Sequence, residues 1–159
     1  MTFIFLVGIL FSMENKKLWI SIINIFSLCV IIFFVGMFFV YNLILIGYVL
    51  VVLAFLCLGT LKLFNVKIKT IKPDIIFGII DNGILAVMTI FGGKIAGVAG
   101  AVIGGVVGNA ITDGIAGVFE GYWAEYLIPD KRTILGSAIG KMAGCLLGAG
   151  VVLIIASFF

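Results

Sequence analysis

Long, uninterrupted apolar runs dominate the chain and predict helices that cross a membrane. Each run is about as long as the 20 or so residues that a helix needs to span the hydrocarbon core. The five runs cover residues 18–40, 42–62, 75–93, 95–127 and 133–158. Within lipid, only helices and closed barrels satisfy their own backbone hydrogen bonds. Because the runs are continuous rather than alternating, they favour helices. The pattern predicts an all-α integral membrane protein with five transmembrane helices.

The segments outside these runs divide the chain further. Residues 1–17 form an N-terminal segment whose apolar part, 2–12, is too short to span. That part is an interfacial anchor, a fragment of an extra helix, or the result of a misassigned start, with the true start at Met13; we favour the anchor or the misassigned start. Residues 63–74 form a polar cytoplasmic linker that contains Pro73, a residue tolerated at a helix start.

The two halves of the predicted bundle differ in their glycine content. Residues 18–62 form a two-helix hairpin rich in large aliphatic and aromatic side chains, whereas residues 75–159 hold most of the 21 glycines. Many of these glycines recur every four residues, or nearly so, along the last two spans: Gly100, Gly104, Gly108, Gly117 and Gly121, then Gly136, Gly140, Gly144 and Gly148. Small residues at this spacing let helix backbones approach closely. They predict a tight three-helix core, a homodimer interface, or both.

Composition excludes several classes of protein. The chain is 64% hydrophobic and only 11% charged, against about a quarter charged in soluble domains. A net charge of +3 gives no indication of a nucleic-acid partner. The absence of histidine excludes imidazole metal ligands and a histidine-bound haem. Three cysteines lie within apolar runs at spacings that suit neither a metal site nor disulfides. We expect no covalent cofactor and, without a nucleophile–base pair or phosphate loop, no enzyme.

Lysine and arginine predict the orientation of the chain. Basic residues concentrate in the cytoplasmic loops of membrane proteins. With the N-terminus in the cytoplasm, eight of the ten lysines and arginines fall in the N-terminal segment, in residues 62–74 and in the loop before the fifth span. The third and fourth spans then run in opposite directions, and the C-terminus lies outside. The expected topology is multi-pass, N-in and C-out.

Polar side chains within the last three spans form a pattern. Asn109, Asp113 and Glu120 lie within about 40° of one another around a helix, and Thr112 lies beside them. At 1.5 Å per residue, Asp113, Asp81 and Lys141 lie roughly 14, 9 and 12 Å in from the cytoplasmic side. Three ionisable groups on three helices are therefore expected at similar depth.

Carboxylates at this depth suggest a cation site. An acidic group at the bilayer centre costs about 2.5–3.5 kcal/mol on insertion scales and often marks an ion pathway. Carboxylate, amide and hydroxyl oxygens suit hard cations. The predicted ligands are Asp81, Asn82, Asn109, Thr112, Asp113 and Glu120. The expected ions are Ca²⁺ and Na⁺, with Mg²⁺ and Mn²⁺ also possible, and Lys141 is a possible counter-ion. The same groups could instead relay protons.

Three motifs, taken in order, resemble the transmembrane protein 65 family. They are FGIIDNGIL, GNAITDGIAG and the glycine ladder that ends in GCLLG, within residues 73–152. The resemblance implies a three-helix core associated in mitochondria with sodium-dependent calcium efflux. It assigns the site to Asp81, Asn82, Asn109, Thr112 and Asp113, with Glu120 continuing their face.

Two departures from that family change the expected location. The chain has no Arg- and Ser-rich transit peptide, and it carries two additional N-terminal spans. We therefore expect a prokaryotic plasma-membrane homologue. A weaker similarity is to the vacuolar iron transporter family, which shares five spans and an early Asp-Gly pair. The cytosolic metal-binding helices of that family are not found in this sequence.

The sequence thus predicts a membrane transporter of a hard cation, of the Na⁺/Ca²⁺ exchange or efflux type, acting as a homodimer. Asp81 and Asp113 would be the primary ligands, and Glu120 would guide ions from the cytoplasm. Two other functions fit the same residues. One is a non-transporting scaffold or regulatory protein, in which the polar groups are structural pairs and Lys141 neutralises a carboxylate. The other is a proton-coupled carrier of a small solute.

Overall fold

The chain is helical throughout the part that can be described. The computed structural model describes the backbone of residues 2–126 and 133–159, and their side chains except at 2–15, 17, 43 and 116–126. These residues form four helices and no strand: α1 Thr2–Phe39, α2 Leu43–Leu63, α3 Ile68–Tyr126 and α4 Ile134–Ala156. The prediction of an all-α protein is confirmed.

Each helix contains a stretch that is long and apolar enough to cross a membrane. The four stretches are Leu18–Phe39, Ile44–Leu63, Ile68–Ile115 and Ile134–Ala156. Large apolar side chains cover much of their outer surface, as with Phe38 at 79% exposed and Val98 at 83% exposed. Such a surface suits lipid and not water. The fold is that of a multi-pass membrane protein.

The predicted count of five transmembrane helices is wrong for the described residues, which contain four candidate spans. The predicted third and fourth spans belong to one element, α3, of 59 residues. A straight helix of that length would measure about 88 Å, far more than a bilayer is thick. The backbone instead leaves helical geometry at Ala96 (φ −135°, ψ 25°) and Gly97 (φ 58°, ψ −137°). These residues divide α3 into a first arm, 68–95, and a second arm, 98–126.

The two arms of α3 fold back on each other. Gly100 lies against the Gly92 backbone, and Gly104 lies against the Met88 backbone. Further from the turn, a Cβ atom on Gly108 would lie 3.2 Å from the Leu85 Cα. Residue numbers fall along one arm as they rise along the other, so the arms are antiparallel. The reversal depends on the positive φ of Gly97, which glycine adopts without steric cost.

Helix α4 lies at the centre of the bundle, between α2 and the first arm of α3. The buried core is drawn mainly from α2 and α4, and among the side chains described in α1 only Leu28 joins it. The α2–α4 contact is close because Gly47 meets Gly150, where a Cβ would lie 2.9 Å from the Gly47 carbonyl oxygen. Helix α1 therefore lies at the periphery of the described fold.

Two helix boundaries differ from those the sequence suggests. Residues 2–12 continue directly into α1 rather than forming a separate segment. Helix α3 begins at Ile68, so Pro73 lies inside its first turns and the α2–α3 connection is shorter than expected. The early start buries Ile71, which is 1% exposed and contacts Gly136 of α4. Packing against α4 therefore extends the helix into the polar segment.

The start of α4 depends on one side chain, and its loss gives a testable prediction. Thr133 is the N-cap of α4, and its hydroxyl accepts a hydrogen bond of 3.0 Å from the Gly136 backbone N–H. We expect Thr133→Ala to lower the free energy of unfolding by about 1 kcal/mol, because one helix-terminal donor loses its partner. Thermal unfolding in detergent, followed by circular dichroism, measures this loss. Thr133→Ser keeps the acceptor and should match the wild type; equal losses in both variants would contradict the capping role.

Candidate functional site

Helix α4 and the first arm of α3 meet along a glycine ladder that brings polar groups together. A Cβ on Gly140 would lie 3.1 Å from the Asp74 Cβ, and one on Gly144 would lie 3.0 Å from the Gly78 Cα. A Cβ on Gly148 would lie 2.9 Å from the Gly83 backbone nitrogen. Residue numbers rise together on both helices, so the two run parallel. The missing side chains permit this close approach.

Three polar contacts follow one another along this interface, about one helical turn apart. The Ser137 hydroxyl donates a hydrogen bond of 2.9 Å to Oδ1 of Asp74. One turn further, the Lys141 ammonium lies 5.0 Å from the centroid of the Phe77 ring. Beyond it, Nδ2 of Asn82 donates to the Cys145 thiol at 2.7 Å. We call this row the polar seam; it comprises Asp74, Phe77, Asp81, Asn82, Ser137, Lys141 and Cys145.

Asp81 has an unusual environment within the seam. Its Oδ2 accepts a hydrogen bond of 3.2 Å from Nδ2 of Asn82. Its Oδ1 is buried and has no hydrogen-bond partner. Buried polar atoms in proteins are nearly always hydrogen-bonded, and one that is not calls for an explanation such as an ion or a functional role. This carboxylate oxygen is a free acceptor for a cation or a proton.

A second carboxylate–amide pair lies on the second arm of α3. Nδ2 of Asn109 donates to Oδ2 of Asp113 at 2.9 Å, and both side chains are exposed. Thr112 points the other way: it is 1% exposed and donates to the Asn109 carbonyl at 3.0 Å. Thr112 extends the buried row of Gly100, Gly104 and Gly108 by one more turn. The predicted polar face is therefore split: Thr112 is buried, whereas Asn109 and Asp113 are exposed.

The antiparallel arms place the two pairs at similar depth. Two turns beyond the Met88–Gly104 contact, the register brings Asp81 level with Ile111 and Thr112. Asp113 is less than one turn away along its arm. The two pairs therefore lie at a similar level along the two arms of α3. The hydrogen bonds, however, join Asp81 to Asn82 and Asn109 to Asp113, and link neither pair to the other.

The described acidic and cysteine residues do not by themselves form a metal centre. In residues 2–126 and 133–159, where side chains are described, no group of three or more His, Cys, Asp or Glu is placed to hold a metal ion. A cation bound here would need amide, hydroxyl or main-chain oxygens in addition to carboxylates. The predicted ligand Glu120 and the packing glycines Gly117 and Gly121 lie outside the described side chains.

The sequence-based prediction missed Asp74. We placed it in the cytoplasmic linker, yet it is 2% exposed and lies inside the α3–α4 interface. The spacing of Asp74, Gly78 and Asp81 gives the signal that could have found it, because residues at i, i+4 and i+7 share one helix face. Ser137, Lys141 and Cys145, at i, i+4 and i+8, likewise share one face of α4.

No family model, curated protein or solved structure matches the chain. The resemblance to the transmembrane protein 65 family, and the weaker one to the vacuolar iron transporters, rests on short motifs and stays a prediction. The function therefore has to be argued from the chemistry of the two carboxylate–amide pairs.

Proposed function

We propose that the protein transports a hard cation across a membrane through a site that includes Asp81. The observation that carries this proposal is the buried Oδ1 of Asp81, which has no hydrogen-bond partner within the α3–α4 interface. An ionised carboxylate in this position is unfavourable without a compensating positive charge. A bound cation would supply that charge and coordinate the free oxygen. Oxygen ligands select hard ions such as Ca²⁺, Na⁺, Mg²⁺ or Mn²⁺.

The remaining predicted ligands would act around Asp81. The Asn82 amide also has an oxygen, which could turn toward an ion. Thr112 lies level with Asp81 on the facing arm and keeps free lone pairs on its hydroxyl oxygen. Asp113, Asn109 and Glu120 would form the second part of the path, on the second arm of α3. Na⁺/Ca²⁺-type exchange or efflux is the mode that the motif resemblance suggests.

The outward position of the second pair supports a homodimer. Asn109 and Asp113 are exposed, and an ionisable group facing lipid is costly. Membrane proteins turn such groups toward protein or a water-filled cavity. A second copy against the second arm of α3 would enclose both residues. In this arrangement the glycine-packed helices would rock to alternate access, with the N-terminus in the cytoplasm and the protein in a prokaryotic plasma membrane.

A thermal-shift series on purified protein in detergent tests the proposal. Wild type and Asp113→Asn are heated with Ca²⁺, Mg²⁺, Mn²⁺ or Na⁺, using choline chloride as the ionic-strength control. A ligand at a hundred times its Kd stabilises a protein by about 2.7 kcal/mol. We expect a selective upward shift for one cation in the wild type and a reduced or absent shift in the variant.

A scaffold is the second candidate, and the lack of a described three-residue acidic centre favours it. In a scaffold, the carboxylate–amide pairs would be interhelical or local hydrogen bonds worth about 0.6–2 kcal/mol each. The same series separates the two functions. No cation shift, together with a destabilised Asp113→Asn, would indicate structural pairing. Flux that depends on pH, without any metal-dependent stabilisation, would indicate a proton-coupled carrier.

A further inference from the structure

We propose that Lys141 is a tethered cation that neutralises the polar seam when no free cation is bound and competes with that cation for Asp81. This inference rests on the proposed function and adds a residue that sets the apparent affinity of the site. It is carried by the position of Lys141 in the seam, between the buried Asp74 on one side and Asp81, whose Oδ1 is buried, on the other.

Lys141 lies on the middle step of the polar seam. The Ser137–Asp74 hydrogen bond lies one turn toward the start of α4, and the Cys145–Asn82 hydrogen bond lies one turn toward its end. Asp81 precedes Asn82 directly and belongs to this second step. Lys141 lies one turn before Cys145 on α4, so Lys141 and Asp81 occupy adjacent steps of the seam.

Lys141 is half-buried, and its ammonium contacts a side chain of the facing helix. Its Nζ lies over the face of the Phe77 ring at 5.0 Å, a distance at which a cation is attracted to the ring. Gly78 lets the Lys141 backbone approach, because a Cβ on Gly78 would lie 2.6 Å from the Lys141 carbonyl oxygen. The flexible four-carbon stem of lysine allows the charge to move without movement of the helix.

Competition follows from the charges. Inside a low-dielectric interface, an ammonium and a carboxylate stabilise each other, because each alone is unfavourable there. A cation that binds the Asp81 carboxylate brings a second positive charge close to Lys141, and like charges at short range repel strongly when water is excluded. Either the Lys141 ammonium or the bound cation therefore neutralises Asp81, but not both at once.

The test is a thermal-unfolding matrix on the full-length protein in detergent, with Lys141→Met and wild type each titrated with Ca²⁺, Mg²⁺, Mn²⁺ and Na⁺ as chlorides. We expect Lys141→Met to unfold at a lower temperature without the cation. With the cation that stabilises wild type, the variant should show a larger shift and an apparent Kd at least about tenfold lower. If Lys141 only packed over Phe77, Lys141→Met would lower the unfolding temperature equally with and without cation. That result would overturn the inference.

Matched variants complete the design. Lys141→Arg keeps the charge and should behave as wild type. Lys94→Met removes one positive charge near the α3 turn, away from the seam, and should leave the cation shift unchanged.

If Lys141→Met does not fold, Lys141→Met/Asp81→Asn removes both charges and should fold; a double variant that also fails would overturn the inference. A wild type without any cation shift would overturn the proposed function as well. A wild-type shift that Lys141→Met leaves unchanged would overturn only the role of Lys141.

Discussion

Asp81→Asn is expected to lower cation flux into proteoliposomes on the order of a hundredfold or more at low cation concentration. The substitution keeps the shape of the side chain and its hydrogen bond with Asn82, and it removes only the negative charge. A unit charge about 4 Å from a monovalent cation contributes about 4 kcal/mol at an effective dielectric constant of 20, and each 1.4 kcal/mol is a tenfold change in affinity. The loss should therefore appear mainly as a weaker apparent affinity.

Flux and stability of Asp81→Asn, measured together, distinguish an ion-binding residue from one that only stabilises the fold. A neutral amide relieves the burial of an unpartnered Oδ1, so the cation-free variant should lose no more stability than Lys141→Met, which leaves the Asp81 charge uncompensated. Proteoliposomes loaded with a fluorescent indicator for the ion measure flux, and thermal unfolding measures stability. Asp113→Asn in the same flux assay measures how much the exposed Asn109–Asp113 pair contributes to transport. A destabilised Asp81→Asn with normal flux would refute the proposed role of Asp81.

Gly144→Ala is expected to lower the free energy of unfolding by about 1–3 kcal/mol, although alanine is the better helix former. A Cβ at this position would run into the Ile75 carbonyl oxygen and lie 3.0 Å from the Gly78 Cα. These are backbone atoms of α3, so no side chain can rotate to make room. The two helices would have to separate along the polar seam, and any cation-dependent stabilisation should fall with them.

Gly83→Ala is the matched control for this prediction. Gly83 lies on the same arm of α3, and a Cβ there would meet nothing within 4 Å. The substitution should stabilise the protein by about 0.5–1 kcal/mol, because alanine loses less conformational freedom than glycine on entering a helix. The two variants are compared by thermal unfolding in the same detergent. Changes of the same sign and size would mean that α3 and α4 do not pack as closely as the contacts indicate.

The helical fold and a break near residue 94 could be predicted from the apolar pattern, but the residues that form the turn within α3 could not. Apolar runs of sufficient length specify helices in lipid whatever their neighbours do. The reversal at Ala96 and Gly97 lies in a segment with several other glycines, and only the positive φ of Gly97 distinguishes it. That conformation is a property of the folded backbone. Residue type alone does not show which glycine adopts it.

The position of the candidate residues along their helices could be predicted more readily than the burial or exposure of each side chain. Counting residues along a helix gives depth, because the rise per residue is fixed, and this places Asp81 and Asp113 at similar levels. Helical spacing also placed Asn109 and Asp113 on one face of their helix. The face that a neighbouring helix covers depends on tertiary packing. The exposure of Asp113 therefore could not be predicted, and the burial of Asp74 was indicated only by its spacing from Gly78 and Asp81.

The glycine ladder also bears on how α4 finds its place along α3. Gly136, Gly140, Gly144 and Gly148 repeat every four residues, so α4 moved lengthwise by one repeat would present nearly the same small-residue surface. Close backbone contact alone cannot distinguish these alignments. The polar residues do not repeat in this way: such a displacement would separate Ser137 from Asp74 and Cys145 from Asn82. Losing those hydrogen bonds inside lipid is unfavourable, so the few polar groups select one alignment from several that the glycines permit.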